Sequence, residues 1–190
     1  MDDLDELLIK KIIAGDSGSF EKLVSRYQKK IFAFVYRMVE SREDAGDLTQ
    51  EVFLQVFRSL NTFRGDAKLN TWLYRIASNK TLDFLRKNKK TRLVAFDSED
   101  YQGEPSLTCS PEANPEQIVL KEEKMRRLRR LIAGLPDRYR LALVLYHYQE
   151  LTYQQIAETL DIPVKTVATR LYRAKLILRE TLRGDTDAMS

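Results

Sequence analysis

Cysteine and histidine are almost missing from this chain: Cys109 and His147 stand alone among 190 residues. A single thiol excludes a disulfide framework and a cysteine-built zinc site. A single imidazole leaves little for a histidine metal cluster or a Ser-His-Asp centre. No apolar run approaches the roughly 20 residues needed to cross a bilayer. The start, Met1-Asp2-Asp3-Leu4-Asp5-Glu6, is acidic, the reverse of a secretory signal. Glycine and proline are scarce, at 7 and 5 residues, which rules out collagen-like and mucin-like chains. These absences imply a soluble, cytoplasmic protein with no metal, no cofactor, no small-molecule substrate, no membrane insertion and no catalytic centre.

What is present is charge, and it is segregated. The net charge of +4 hints at a polyanionic partner. It conceals two basic blocks. Residues 58–93 carry ten Lys and Arg against two Asp and Glu, and residues 121–183 carry fourteen against seven. Between them, Val94 to Leu120 holds six acids and no Lys or Arg, with Pro105, Pro111, Pro115 and Gly103. That composition predicts a solvated acidic linker between two domains, or one that mimics nucleic acid in a basic channel.

Hydrophobic spacing is helical throughout, with no sustained β alternation and no repeat. Phe20, Leu23, Val24, Tyr27, Ile31, Phe34, Val35 and Met38 form one stripe on a long helix. Ala45, Leu48, Val52, Phe53, Val56 and Leu60 form another between Glu43 and Leu60. Further helices are expected over Leu4–Ala14, Thr71–Lys90, Pro115–Gly134 and Asp137–Tyr148. The fold class is therefore all-α: two small helical domains, residues 1–93 and 119–183, joined by a flexible linker at 94–118, with a tail at 184–190.

Three surfaces stand out. Thr152-x-x-Gln155 has the spacing of a capping box and opens a short helix. Asp161-Ile162 turns the chain, and Pro163 suits the start of the next helix. Val164, Val167, Leu171, Ala174 and Leu178 share one face of that helix. Lys165, Thr166, Thr169, Tyr172 and Arg173 lie opposite, with Arg170 at the flank. No acid occurs from Pro163 to Arg179. Cations and hydroxyls without carboxylates are what a major-groove recognition helix needs. On the third helix Asp47, Gln50, Glu51, Leu54 and Arg58 face outward; a leucine ringed by polar groups suits protein docking, or is an ordinary solvated face. The run Phe63, Arg64, Asp66, Lys68, Asn70, Trp72 and Arg75, with Asn79 and Lys80 beyond, mixes aromatics and cations as single-stranded DNA binders do, although Trp72 fits a core position equally well. A stand-alone helix-turn-helix regulator, and an enzyme holding Mg²⁺ on Asp47 and Glu51, are the competing readings.

These residues resemble the small extracytoplasmic-function (group IV) sigma factors of bacterial RNA polymerase. The matching marks are Gly15-Asp16 with Phe20-x-x-Leu23-Val24-x-x-Tyr27; Glu43-Asp44-Ala45-x-Asp47-Leu48-Thr49-Gln50-Glu51-Val52-Phe53; Phe63-Arg64-Gly65-Asp66 with Thr71-Trp72-Leu73-Tyr74-Arg75-Ile76-Ala77-x-Asn79; Leu135-Pro136; and Leu151-Thr152-Tyr153-x-x-Ile156-Ala157 with Pro163-Val164-x-Thr166-Val167-x-x-Arg170-Leu171-x-Arg173-Ala174. The resemblance implies a σ2 domain that docks core RNA polymerase on its β′ subunit through Asp47, Gln50, Glu51 and Leu54. It implies that the Phe63–Asn70 loop, with Asn79 and Lys80 behind it, opens the −10 element and captures a flipped base. It implies a σ4 domain reading the −35 element through Lys165, Thr169, Arg170 and Arg173, a linker threading toward the polymerase active site and RNA exit path, and control by an anti-sigma factor. Ala168 stands where relatives often carry Arg or Lys, and Tyr172 where Phe is frequent.

Overall fold

The computed structural model describes residues 3–63, 65, 68–92 and 115–187. They form α1 (Asp3–Ile13), α2 (Ser17–Val39), α3 (Arg42–Ser59), a 3₁₀ turn at Leu60–Thr62, α4 (Leu69–Arg92), α5 (Pro115–Ala133), α6 (Asp137–His147), α7 (Tyr153–Leu160) and α8 (Val164–Asp187). Among the described residues there is no strand. Most of the sequence-derived linker, including Cys109, lies outside the described residues.

Local chemistry sets the helix ends. Gly15, at φ 95°, turns the chain after α1. The Asp16 carboxylate accepts from the Ser19 N–H at 3.3 Å and its hydroxyl at 2.7 Å. The Ser19 hydroxyl and backbone N–H hold the Asp16 carboxyl below its ordinary range. Ser41 caps α3 by accepting from the Asp44 N–H at 3.2 Å. Between those helices Glu40 closes α2 at φ 66°. That left-handed conformation costs a non-glycine residue about 1–2 kcal/mol.

α1 to α4 form the first bundle, with Leu23, Ile31, Phe34, Met38, Val52, Val56 and Leu73 among its most buried side chains. Both predicted stripes point inward: Phe20 and Val24 are half-buried at the margin of the first, and the remaining members of both are buried. Phe34 meets the Tyr74 ring edge-on at 5.5 Å between centroids. Sequence pattern gave no hint that Asp5 is buried. It accepts from the Tyr27 hydroxyl at 2.7 Å and pairs with Arg26 at 3.5 Å, fastening α1 to α2.

α6, α7 and α8 form the second bundle around Leu141, Leu145, Ile156, Val167 and Leu171. The end of α5 joins it through Ile132 and Leu135, beside Leu143 and Ala174. One expectation for the last helix changes. Val164 is 39% exposed rather than buried. The helix itself runs to Asp187.

The two bundles do not stand apart. α4 packs on α7 and α2 packs on α6, so the apolar core runs from one bundle into the other. Arg140 of α6, almost fully buried, donates to Glu40 Oε1 at 2.7 Å, to the Ala133 carbonyl at 3.2 Å and to Asp137 Oδ1 at 3.4 Å. Phe34→Ala should lower the unfolding free energy by about 3–5 kcal/mol, read as a fall in the denaturant midpoint. A shift under about 1 kcal/mol would contradict the packing at this centre.

Candidate nucleic-acid and protein interfaces

The helix-turn-helix is built as the sequence suggests. The Thr152 hydroxyl accepts from the Gln155 N–H at 3.2 Å, and the Gln155 side chain accepts from the Thr152 N–H at 2.9 Å. α7 ends on Asp161 at φ 53°, and the Pro163 carbonyl accepts from the Thr166 N–H at 2.8 Å. Buried Val167, Leu171 and Ala174 anchor one side of α8. Lys165, Thr169, Tyr172 and Arg173 stand exposed on the other, Tyr172 at 66%. Thr166 is half-buried. Arg170 turns away from that set toward α6, where burial and the neighbouring Arg138 cation push its guanidinium below the usual range.

On α3, Asp47, Gln50, Glu51, Leu54 and Arg58 are all exposed, Leu54 at 56%. The sequence reading missed Phe57. It is also 56% exposed, one turn from Leu54, and meets Phe20 edge-on at 5.0 Å. The signal was available: Phe57 falls outside the inward set, three residues after Leu54. The apolar point on this face is therefore a pair.

The stretch before and along α4 is mixed. Phe63 is half-buried and packs on Trp72 at 5.1 Å between ring centroids, so both aromatics belong to the margin of the core. Arg64 and Asp66 lie outside the described residues; Gly65 has φ 78°. Lys68 and Asn79 are exposed. Asn70 lies at the start of α4 with its Oδ1 buried and without a hydrogen-bond partner among the described residues. Lys68, Leu69 and Asn70 open onto a cleft of about 410 Å³ whose other walls are Asp5, Arg26, Tyr27 and Lys30. Two cations are already engaged: Lys80 with Glu51 of α3 at 3.2 Å, and Arg75 with Asp161 of the helix-turn-helix turn at 3.5 Å.

Comparison with known proteins bears directly on these surfaces. Residues 23–91 match the family model for sigma-70 region 2, and residues 125–178 match that for sigma-70 region 4. The chain is 37% identical over 175 residues, 90% of each chain, to the ECF RNA polymerase sigma-E factor of Escherichia coli K12. It is 34% identical over 183 residues, 94% of each chain, to the RNA polymerase sigma-H factor of Pseudomonas aeruginosa. The chain belongs to the ECF sigma factors of the sigma-70 family. Its fold is shared with solved sigma factors: CnrH in complex with the cytosolic domain of CnrY (TM-score 0.70, 22% identity, 96% of this chain and 99% of that one), and RpoE of Bartonella quintana in complex with the anti-sigma factor NepR (0.65, 18%, 86% and 96%).

Region 2 (σ2) thus falls within the α1–α4 bundle, and region 4 (σ4) runs from the end of α5 through most of α8. No helix among the described residues is long and apolar enough to cross a membrane. Among the same residues no group of three or more His, Cys, Asp or Glu could hold a metal ion, and Asp47 with Glu51 gathers no third ligand. Arg173, exposed on the acid-free face, has the reach for a bidentate guanine contact. Arg173→Ala is expected to weaken binding to a duplex −35 element by about 1–3 kcal/mol, measured by footprinting of the holoenzyme. An unchanged −35 footprint removes Arg173 from the readers.

Proposed function

We propose that this sigma factor binds core RNA polymerase through the outer face of α3, holds the melted −10 strand with the stretch around the start of α4, and reads the −35 duplex with α8. The polymerase supplies all the catalysis, and the protein works in the cytoplasm without a cofactor. The observation that carries this reading is the exposed Leu54–Phe57 pair, ringed by Asp47, Gln50, Glu51 and Arg58. Large apolar side chains surrounded by polar groups suit a protein partner. On the DNA side, Lys68, Asn79 and Lys80 follow the backbone of the opened strand. The cleft beside Asn70 falls within the roughly 300–1,000 Å³ range of small-molecule sites and receives an unpaired base. Asn70, which lines that cleft, contacts the base through its side-chain amide.

Neither DNA site needs to be tight. Tethering the two on one polymerase raises the effective concentration of each for the other. The relatives solved with anti-sigma factors suggest a protein inhibitor for this chain too, covering the same polymerase-binding face.

Leu54→Asp should abolish capture of core polymerase while leaving the helical circular dichroism and the denaturation midpoint close to the parent. A normal pull-down refutes the docking face. Run-off transcription with core polymerase on genomic fragments tests the whole reading: promoter-specific starts are expected only with the protein added, and tight operator binding without polymerase would instead favour the stand-alone regulator. Asn70→Ala should leave the pull-down intact and slow open-complex formation by about tenfold, the equivalent of one base contact. An unaltered rate, followed by permanganate reactivity at −10, would exclude Asn70 from base capture.

A further inference from the structure

The outer face of α2 carries a basic stripe that lies outside both basic blocks of the sequence. Lys22, Arg26, Lys29 and Lys30 are exposed on it, and no acid occurs from Lys22 to Val39. Steps of three and four residues bring all four to one side of the helix. The residues exposed between them, Ser25 and Gln28, are polar, and no large apolar side chain of α2 is exposed. Two of the cations, Arg26 and Lys30, also line the cleft at the start of α4. Each lies 6.0 Å from the centre of the Tyr27 ring. Among the described residues Asp5 is the only carboxylate lining that cleft. It is buried, and it is engaged by the Tyr27 hydroxyl and by Arg26 Nε. The rim is therefore cationic, with Arg26 and Lys30 on the α2 side and Lys68 at the approach to α4.

The chemistry of the stripe selects its partner. A protein interface needs large apolar anchors, and this face has none. Cations without such anchors suit a chain of phosphates, which supplies affinity through charge and fixes the position of a strand without reading its sequence. The length fits as well. From Lys22 to Lys30 the helix rises about 12 Å at 1.5 Å per residue, the length of about three stacked nucleotides at 3.4 Å each. A base seated in the cleft draws the phosphates attached to it onto the rim, beside Arg26 and Lys30. Lys22 and Lys29 continue the same charged edge along α2.

We propose that α2 forms a second wall of the single-strand site: Arg26 and Lys30 hold the phosphates next to the base in the cleft, and Lys22 and Lys29 carry the neighbouring phosphates along the helix. The inference rests on the sigma-factor reading above and extends its −10 site beyond α4. No base is read on α2; its contribution is affinity for the opened strand and placement of it.

The test uses holoenzyme assembled from core polymerase and the full-length chain, with a fluorescein-labelled, AT-rich single strand of about 20 nucleotides as the probe, long enough to cover the α2 stripe. Lys22→Gln with Lys30→Gln removes two exposed cations and leaves the contact of Arg26 with Asp5 in place. Each single-strand phosphate contact contributes about 0.7 to the slope of log K against log salt, so the double variant should show a slope shallower by about 1.4 and an affinity about tenfold lower at about 0.15 M salt. Lys22→Arg with Lys30→Arg should keep both at the parent values. Strands in which a neutral methylphosphonate replaces each phosphate in turn locate the contacts: at the positions held by α2 the parent loses affinity and the Gln variant does not. An unchanged slope and affinity in the Gln variant overturns the proposal. Equal sensitivity of parent and variant to every methylphosphonate overturns it too. Failure of the Gln variant to capture core polymerase would assign the stripe to a protein partner, and so also overturn it. If the parent drives no promoter-specific run-off transcription, the sigma-factor reading itself fails; if the parent initiates and only the salt slope stays unchanged, the α2 wall alone falls.

Discussion

A guanidinium cannot be buried without partners, and Arg140 is buried at the junction of three segments. Removing such a charge from water costs several kcal/mol unless its donors are met. Glu40, the Ala133 carbonyl and Asp137 meet two of its nitrogen donors; its Nε has no partner among the described residues. Each partner fixes a piece of backbone. The Ala133 carbonyl sets the end of α5, and Asp137 sets the first turn of α6. Glu40 brings the end of α2 against them, which is why it tolerates a conformation that side chains with a Cβ avoid. One cation thereby ties the Leu135-Pro136 turn, the α2–α3 corner and the seat of σ4 on σ2 into a single arrangement.

The seam between the bundles differs from either interior. Within σ2, large apolar side chains such as Leu23, Ile31, Phe34 and Met38 are completely buried. Along the elements that meet, the buried set includes Ser78 and Thr81 of α4 and Thr159 of α7, whose hydroxyls have no hydrogen-bond partner among the described residues. A buried hydroxyl left unpaired costs about 1–3 kcal/mol. These hydroxyls belong to α4 and α7, the two helices that pack on each other where the bundles meet.

Much of this was legible in the residue pattern, for reasons that can be named. The σ4 helix pair was readable because a capping box, a turn and a proline are local signals, each satisfied within four residues of itself. The α2 and α3 stripes were readable because 3.6-residue periodicity repeats over four to six turns. Arg140, Glu40 and Asp161 were not. Their roles depend on partners far along the chain, Glu40 with Arg140 and Asp161 with Arg75, and nothing local marks a left-handed glutamate. Asp5 sat in an acidic run that read as solvated, yet its partner Tyr27 comes 22 residues later. Arg170 falls beside the acid-free face in the sequence pattern, and its nearness to Arg138 depends on where α6 lies. Phe57 was missed for a different reason: the inward stripe of α3 was followed, and the outer face was judged by Leu54 alone.

The two σ2 surfaces are also closer than separate sets of residues suggest. Glu51 lies among the groups assigned to the protein-docking face, and Lys80 among those assigned to the opened strand, yet they meet at 3.2 Å across α3 and α4. Both side chains are substantially exposed, so the pair adds little to stability. Its consequence is for availability. A partner that takes up the Glu51 carboxylate removes the nearest counter-charge from Lys80 and strengthens the local positive field on α4. The two sets of residues therefore share a single ion pair. The segregation of charge in the sequence has the same logic: a basic helix can attract an anionic strand only to the extent that the chain's own carboxylates are placed elsewhere or can be drawn away.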